Sequence, residues 1–142
     1  MNSLPQRQTQ AIEYFNLLPT WCDRFNYLIK LGEELPAMPP SLITPGNRFG
    51  GCQSVTYVAV EVVNGRVYIH GKSNAAIPKG IIALAHNIFN SCLLNELEEI
   101  EVNFHSATNL QMQLTHGRQN FLASLVHQIC GVKELSFCSG AL

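Results

Sequence analysis

The run Gln53-Ser54-Val55-Thr56-Tyr57-Val58-Ala59-Val60-Glu61-Val62-Val63, followed by Asn64-Gly65 and then Arg66-Val67-Tyr68-Ile69-His70, decides the fold class. Its Val, Thr and Tyr side chains suit a pleated, half-buried surface. Asn-Gly tolerates the positive φ values of a type I′ turn between two such runs, so the stretch reads as a β-hairpin.

Helical spacing takes over on both sides of it. After Gly71, the residues Ile77, Ile81, Leu84, Ala85, Ile88 and Phe89 recur at a 3.6-residue period and predict the main buried helix, with Pro78 tolerable in its first turn. Upstream, Pro36, Pro39, Pro40 and Pro45 withhold backbone donors and predict an extended connector. Before that connector, Thr20 as N-cap with Asp23 three residues on, and Trp21, Phe25, Leu28 and Ile29 at helical spacing, predict a helix from Thr20 to about Leu35. Ala11, Ile12, Phe15 and Leu18 predict an earlier helix from Pro5 to Leu18, ended by Pro19.

Downstream, Asn95 and Glu98 resemble a capping pair for a short helix through Ile100. Thr115 is placed to cap a last helix whose Phe121, Leu125, Val126 and Ile129 face inward. A third strand around Arg48 or Gln111 to Leu114 is left open, and Val132 to Leu142 are ambiguous. The expected architecture is α+β: a single compact domain over residues 1–142, with helices packed on a small antiparallel sheet.

A chain of 142 residues can bury a core without disulfides or metals. Hydrophobic residues make up 46% and charged residues only 13% of it, about half the usual charged share, so some apolar surface is expected to meet a partner. Nine basic and ten acidic residues give a net charge of -1, which offers no general attraction for nucleic acid. Neither an apolar leader nor a run near the ~20 residues of a membrane span is visible, so a soluble, cytoplasmic protein away from membranes is expected. Cys22, Cys52, Cys92, Cys130 and Cys138 are odd in number and widely spaced, which suggests free thiols and no CxxC metal site.

One thiol stands apart. In Asn47-Arg48-Phe49-Gly50-Gly51-Cys52-Gln53-Ser54 a glycine pair meets the first strand, and two adjacent glycines allow conformations in which a thiol tucks inward or swings out. Sulfur transfer needs that freedom, because a carrier cysteine must reach a partner's site, attack as thiolate and then shelter its S–SH. Cys52 as a small buried hydrophobe is the competing reading, and the residues alone leave both open. Cys22 and Cys130 read as core thiols beside apolar helix positions, while Cys92 and Cys138 read either as inert or as thiols that resolve or relay sulfur. His70, His86, His105, His116 and His127 lack zinc-hydrolase spacing, although a Cys–His pair with Cys52 stays open because such pairs are spatial.

Trp21-Cys22-Asp23-Arg24-Phe25-Asn26-Tyr27-Leu28-Ile29-Lys30-Leu31-Gly32, followed by Leu35-Pro36, resembles the opening helix of the SufE/CsdE family of cysteine desulfuration proteins. Asn47 with Gly51-Cys52-Gln53-Ser54 resembles its N-x-x-x-G-C-Q-S segment. Gly71, Ser73, Ala75-Ala76-Ile77 and Lys79-Gly80 follow G-x-S-x-A-x-I-x-K-G, and Leu114-Thr115, Arg118, Asn120 and Leu122 follow a fourth pattern. The sequence departs from these patterns at His116-Gly117, which replaces Pro-(Ser/Thr), at Phe121, where glycine is usual, and at Asn74, where an acidic residue is common.

The resemblance implies a SufE/IscU-like fold and a persulfide carried on Cys52, with Gly51, Gln53, Ser54 and Arg118 in support. Arg118 keeps its charge and could stabilise a thiolate or a partner carboxylate. Gln53 and Ser54 could donate to the sulfur or pin the start of the strand. The implied partners are a SufS/CsdA-like cysteine desulfurase, whose turnover the carrier raises, and a SufB-like downstream acceptor or scaffold. A homodimer is left open. Neither a cofactor nor a metal is expected in this chain, because C–S cleavage needs an electron sink such as pyridoxal phosphate (PLP), which belongs to the desulfurase. The alternative is an IscU-like cluster scaffold, which needs several converging thiolate or histidine ligands.

Overall fold

The computed structural model of the chain describes residues 2–51 and 54–132. Among these, helices α1 (Leu4–Leu17) and α2 (Trp21–Glu33) lead into two short 3₁₀ turns, Pro40–Leu42 and Pro45–Asn47, in the proline-rich connector. Strands β1 (Thr56–Val63) and β2 (Arg66–Ser73), helix α3 (Ala76–Phe89) and the two-residue strand β3 (Cys92–Leu93) follow. The chain then forms α4 (Leu94–Glu99), α5 (Phe104–Ala107), α6 (Leu110–Gln113) and α7 (His116–Gly131). The α+β expectation holds: helices pack on a small antiparallel sheet of strand order β1-β2-β3.

The hairpin forms as its turn chemistry predicts. Asn64 and Gly65 take φ of 52° and 76°, and Val63 faces Arg66 in a register that runs back to Thr56 opposite Ser73. Val67 and Ile69 of β2 and Val58 of β1 turn one sheet face toward α3, whose Ile81, Ile82, Leu84, Ala85, Ile88 and Phe89 are buried with them in one contiguous core. Each fully buried aliphatic or aromatic side chain in that core stabilises the fold by roughly 1.5–3 kcal/mol.

On its other side α3 meets α2, and a pair of glycines sets how closely. A Cβ on Gly32 would lie 2.9 Å from the Gly80 amide nitrogen, and one on Gly80 would collide with the Leu28 carbonyl. The two helices therefore approach backbone to backbone. Thr20 caps α2 as its sequence suggests, its Oγ1 accepting from the Asp23 amide at 3.1 Å.

Helix α1 is held by polar ties as well as by buried Leu4 and Phe15. Gln8, only 6% exposed, donates from Nε2 to the Glu101 carbonyl at 3.0 Å. Its Oε1 accepts from the amides of Asn103 and Phe104 at 3.0 and 3.2 Å. Arg7 donates to the Asn90 carbonyl at 2.8 Å, where α3 ends and its dipole is negative.

The structure corrects several local expectations. The third strand lies at neither expected place: Arg48 forms only an isolated bridge to Tyr57, and Leu110–Gln113 is helical. It is Cys92–Leu93, paired to Arg66 and Val67 after Ser91 turns the chain with φ 67°. The carboxylate that caps α4 belongs to Glu96, which accepts from the Leu93 amide at 3.2 Å, in place of the expected Glu98. Thr115 occupies the N-cap of α7 but makes no side-chain capping bond. The ambiguous closing segment lies outside the described residues beyond Val132.

Candidate functional site

A cleft of about 380 Å³ opens where the hairpin, α3 and α7 converge, lined by Gly51, Ser54, Ala75, Pro78, Thr115, Gly117, Arg118 and Phe121. Of the residues singled out in the sequence, Gly51, Ser54 and Arg118 meet here. Cys52 and Gln53 lie outside the described residues, and in the chain they join Gly51 to Ser54.

Both stems of that connection are fixed. On the N-terminal stem, the Phe49 amide donates to the Thr56 carbonyl at 2.9 Å, and the Phe49 ring stands edge-on to Phe121 with centroids 5.4 Å apart. A Cβ on Gly51 would sit 2.7 Å from Phe49 Cζ, so any larger residue there would have to push that ring aside. Positive φ is not the reason for a glycine there: among the described glycines only Gly65 has one.

On the C-terminal stem, hydroxyls run in series. Ser54 Oγ lies 3.0 Å from Thr56 Oγ1, which lies 2.8 Å from Ser73 Oγ, and that oxygen accepts from the Ala75 amide at 3.1 Å. Asn74 adds a two-way tie: the Val55 amide donates to its Oδ1 at 3.0 Å, and its own amide donates to the Val55 carbonyl at 3.2 Å. The stem is thereby stitched to the segment that enters α3.

Opposite stands the first turn of α7. Its leading amides have no intrahelical acceptor, and Thr115 supplies no side-chain cap, so this helix end carries partial positive charge into the cleft wall. Half-buried Arg118 adds a full charge and has no ion pair among the described residues. Gly117, one of the departures from the family pattern, lies beside the loop: a Cβ there would be 3.8 Å from the Gly51 carbonyl oxygen. Phe121, another departure, is 1% exposed and serves as both core and cleft floor. Together these features favour an anion, such as a thiolate or persulfide, bound against an apolar wall.

The other described thiols and the imidazoles lie elsewhere. Cys92, expected to be either inert or a relay, is 2% exposed, and burial pushes its pKa up to about 11, so it is sealed in the core. Cys22, expected in the core, is exposed, because it falls on the outer face of α2. Cys130 is half-buried and packs against the core, and Cys138 lies outside the described residues. No histidine lines the cleft. His70 meets Glu61 at 3.1 Å on the hairpin, while burial lowers the pKa of His86 and of His105. Among the described residues, no three His, Cys, Asp or Glu side chains gather as a metal site, and no helix is long and apolar enough to cross a membrane. Sequence reasoning passed over Thr56, whose signal lay only in its register opposite Ser73 across the hairpin, and met Ser73 only as a motif position.

Comparison with known proteins places the chain in a family and a fold. Residues 9–131 match the family model described as SufE, Fe-S metabolism associated domain. An uncharacterized SufE-like protein of Rhizobium meliloti (strain 1021) is 31% identical over 125 residues, covering 84% of this chain and 89% of the relative. Another from Synechocystis sp. is 30% identical over 118 residues, covering 83% of this chain and 74% of the relative. The solution structure of a hypothetical protein from Thermus thermophilus superposes with a TM-score of 0.70 at 23% identity, over 92% of this chain and 96% of that one, which shows a shared fold.

Proposed function

The chain belongs to the SufE family of iron–sulfur metabolism, and from that premise we propose that it is a sulfur carrier whose Cys52 accepts sulfane sulfur from a cysteine desulfurase and passes it toward iron–sulfur cluster assembly. Family membership supports a role in sulfur transfer with a desulfurase partner. The observation that carries the residue assignment is that Gly51 and Ser54, the neighbours of the Cys52-Gln53 pair in the chain, both line the cleft with Arg118 and the first turn of α7.

In the proposed step the Cys52 thiolate attacks the outer sulfur of a persulfide on the desulfurase. A new S–S bond forms on Cys52 as the partner's S–S bond breaks. The partner leaves as a thiolate, and the transferred sulfur keeps its proton, so no external oxidant or reductant is consumed. Arg118 and the α7 amides lower the energy of the thiolate before attack and of any deprotonated persulfide after it. The C–S cleavage of cysteine belongs to the desulfurase, where pyridoxal phosphate supplies the electron sink. Removing the product persulfide would raise the desulfurase's turnover, and a SufB-like scaffold is the proposed acceptor.

The test is intact mass spectrometry after incubation with a cysteine desulfurase and cysteine. A gain of one sulfur mapping to Cys52 is expected, together with loss of desulfurase stimulation in Cys52→Ser. Equal stimulation by the Cys52→Ser variant would sink the proposal. The IscU-like scaffold reading is not favoured by the family match.

A further inference from the structure

We propose that Thr56 is a positioning residue for the Cys52 loop, its buried hydroxyl and its carbonyl together fixing both stems between which the carrier cysteine is strung. This rests on the carrier role proposed for Cys52.

Thr56 is fully buried at the base of that loop. Its carbonyl accepts from the Phe49 amide at 2.9 Å, holding the stem that enters the loop. Its Oγ1 lies between Ser54 Oγ at 3.0 Å and Ser73 Oγ at 2.8 Å, holding the stem that leaves. Ser73 in turn accepts from the Ala75 amide at 3.1 Å, so the chain of hydroxyls ends at the entry to α3. A valine in place of Thr56 would keep the shape and the strand propensity yet leave the Ser54 and Ser73 hydroxyls facing a methyl group.

The consequence is geometric. Transfer of a sulfur atom between two cysteines requires near-linear approach of three sulfurs, and displacement of an attacking group by about 1 Å can cost on the order of a hundredfold in rate. Fixed stems restrict where Cys52 can be delivered. Thr56 acts through the loop, so its loss should slow transfer within the complex while leaving partner affinity intact.

Three variants test this: Thr56→Val, Thr56→Ser, which restores the hydroxyl, and Val67→Ala, which weakens the same sheet at a core position away from the cleft. Single-turnover loading of sulfur onto Cys52 is followed by mass spectrometry with the persulfidated desulfurase at saturation, alongside amide hydrogen exchange at Phe49 and Val55. Thr56→Val is expected to load about tenfold more slowly, with faster exchange at both amides. Thr56→Ser should stay within about twofold of wild type, and Val67→Ala should lose thermal stability with no change in loading. Wild-type loading by Thr56→Val, or an equal loss in Val67→Ala, overturns the proposal. Should Cys52→Ser still carry sulfur, the carrier reading fails by itself, and the exchange comparison then decides Thr56: acceleration that only the serine variant reverses upholds its positioning part, and unchanged exchange overturns it.

Discussion

The ring of Phe49 stands edge-on to that of Phe121 at a centroid separation of 5.4 Å, joining the loop before Cys52 to α7. Phe121 is 1% exposed and fills a position where the family pattern has glycine. Phe121→Ala is expected to cost about 3–5 kcal/mol in urea or guanidinium unfolding, because it removes both core volume and the support under Phe49. A cost below about 1 kcal/mol would mean that the cleft floor collapses to fill the space.

Gly80→Ala tests the backbone contact between α2 and α3. Its added Cβ would run into the Leu28 carbonyl, and a Cβ at Gly32 would meet the Gly80 nitrogen at 2.9 Å. Neither obstacle is a flexible side-chain end, so the helices must separate. Destabilisation of about 1–3 kcal/mol is expected, although alanine has the higher helix propensity. Circular dichroism melting reads the result, and a rise in Tm would contradict the contact.

Acid should weaken the fold in two stages. His86 and His105 have lowered pKa values, chiefly from burial, so below about pH 6.5 the unfolded chain binds protons that the folded chain resists. Stability present above that pH is then lost as pH falls toward the folded values. Glu96 is also lowered, first by its hydrogen bond from the Leu4 amide and then by that from Leu93, and its contribution is lost further down, below the ordinary carboxylate range. Denaturation midpoints from pH 8 down to about pH 2 should fall in that order, and His105→Gln should flatten the upper part. A midpoint that rises on acidification would refute the assignment.

Among the described thiols, Cys22 should react with iodoacetamide in the native protein at neutral pH, whereas Cys92 should not. Burial holds the Cys92 pKa at about 11 and blocks approach of the reagent. Peptide mapping after labelling with and without denaturant distinguishes the two. Native labelling of Cys92 would show that the β3 region opens more readily than its packing implies.

Local signals carried the sequence reading furthest. Asn64-Gly65 specifies its turn through the φ values that those residues tolerate, and the stripe from Ile77 to Phe89 specifies a helix face, so both formed where expected. The sequence does not single out Glu96 as the cap because α4 carries three carboxylates, Glu96, Glu98 and Glu99, and the choice is made by Leu4, whose amide donates to Glu96 from a distant helix at 3.1 Å. Cys22 was misplaced for a related reason: helical spacing next to apolar residues does not say which way a single position turns. Strand β3 was invisible, since two residues carry no period and owe their pairing to β2.

What the sequence determined alone was the hairpin, the principal helices and, through motif order, the family and the cysteine around which its function is read. These follow from interactions within a few residues, or from residue identities that need no coordinates. Only the tertiary structure decided that the Phe49 ring lies against Gly51, that Gly32 and Gly80 let two helices touch, and that Thr56 links Ser54 to Ser73 beneath the loop. Each of those depends on groups brought together across the fold, where steric exclusion and hydrogen-bond satisfaction are settled by packing and leave no local pattern to read.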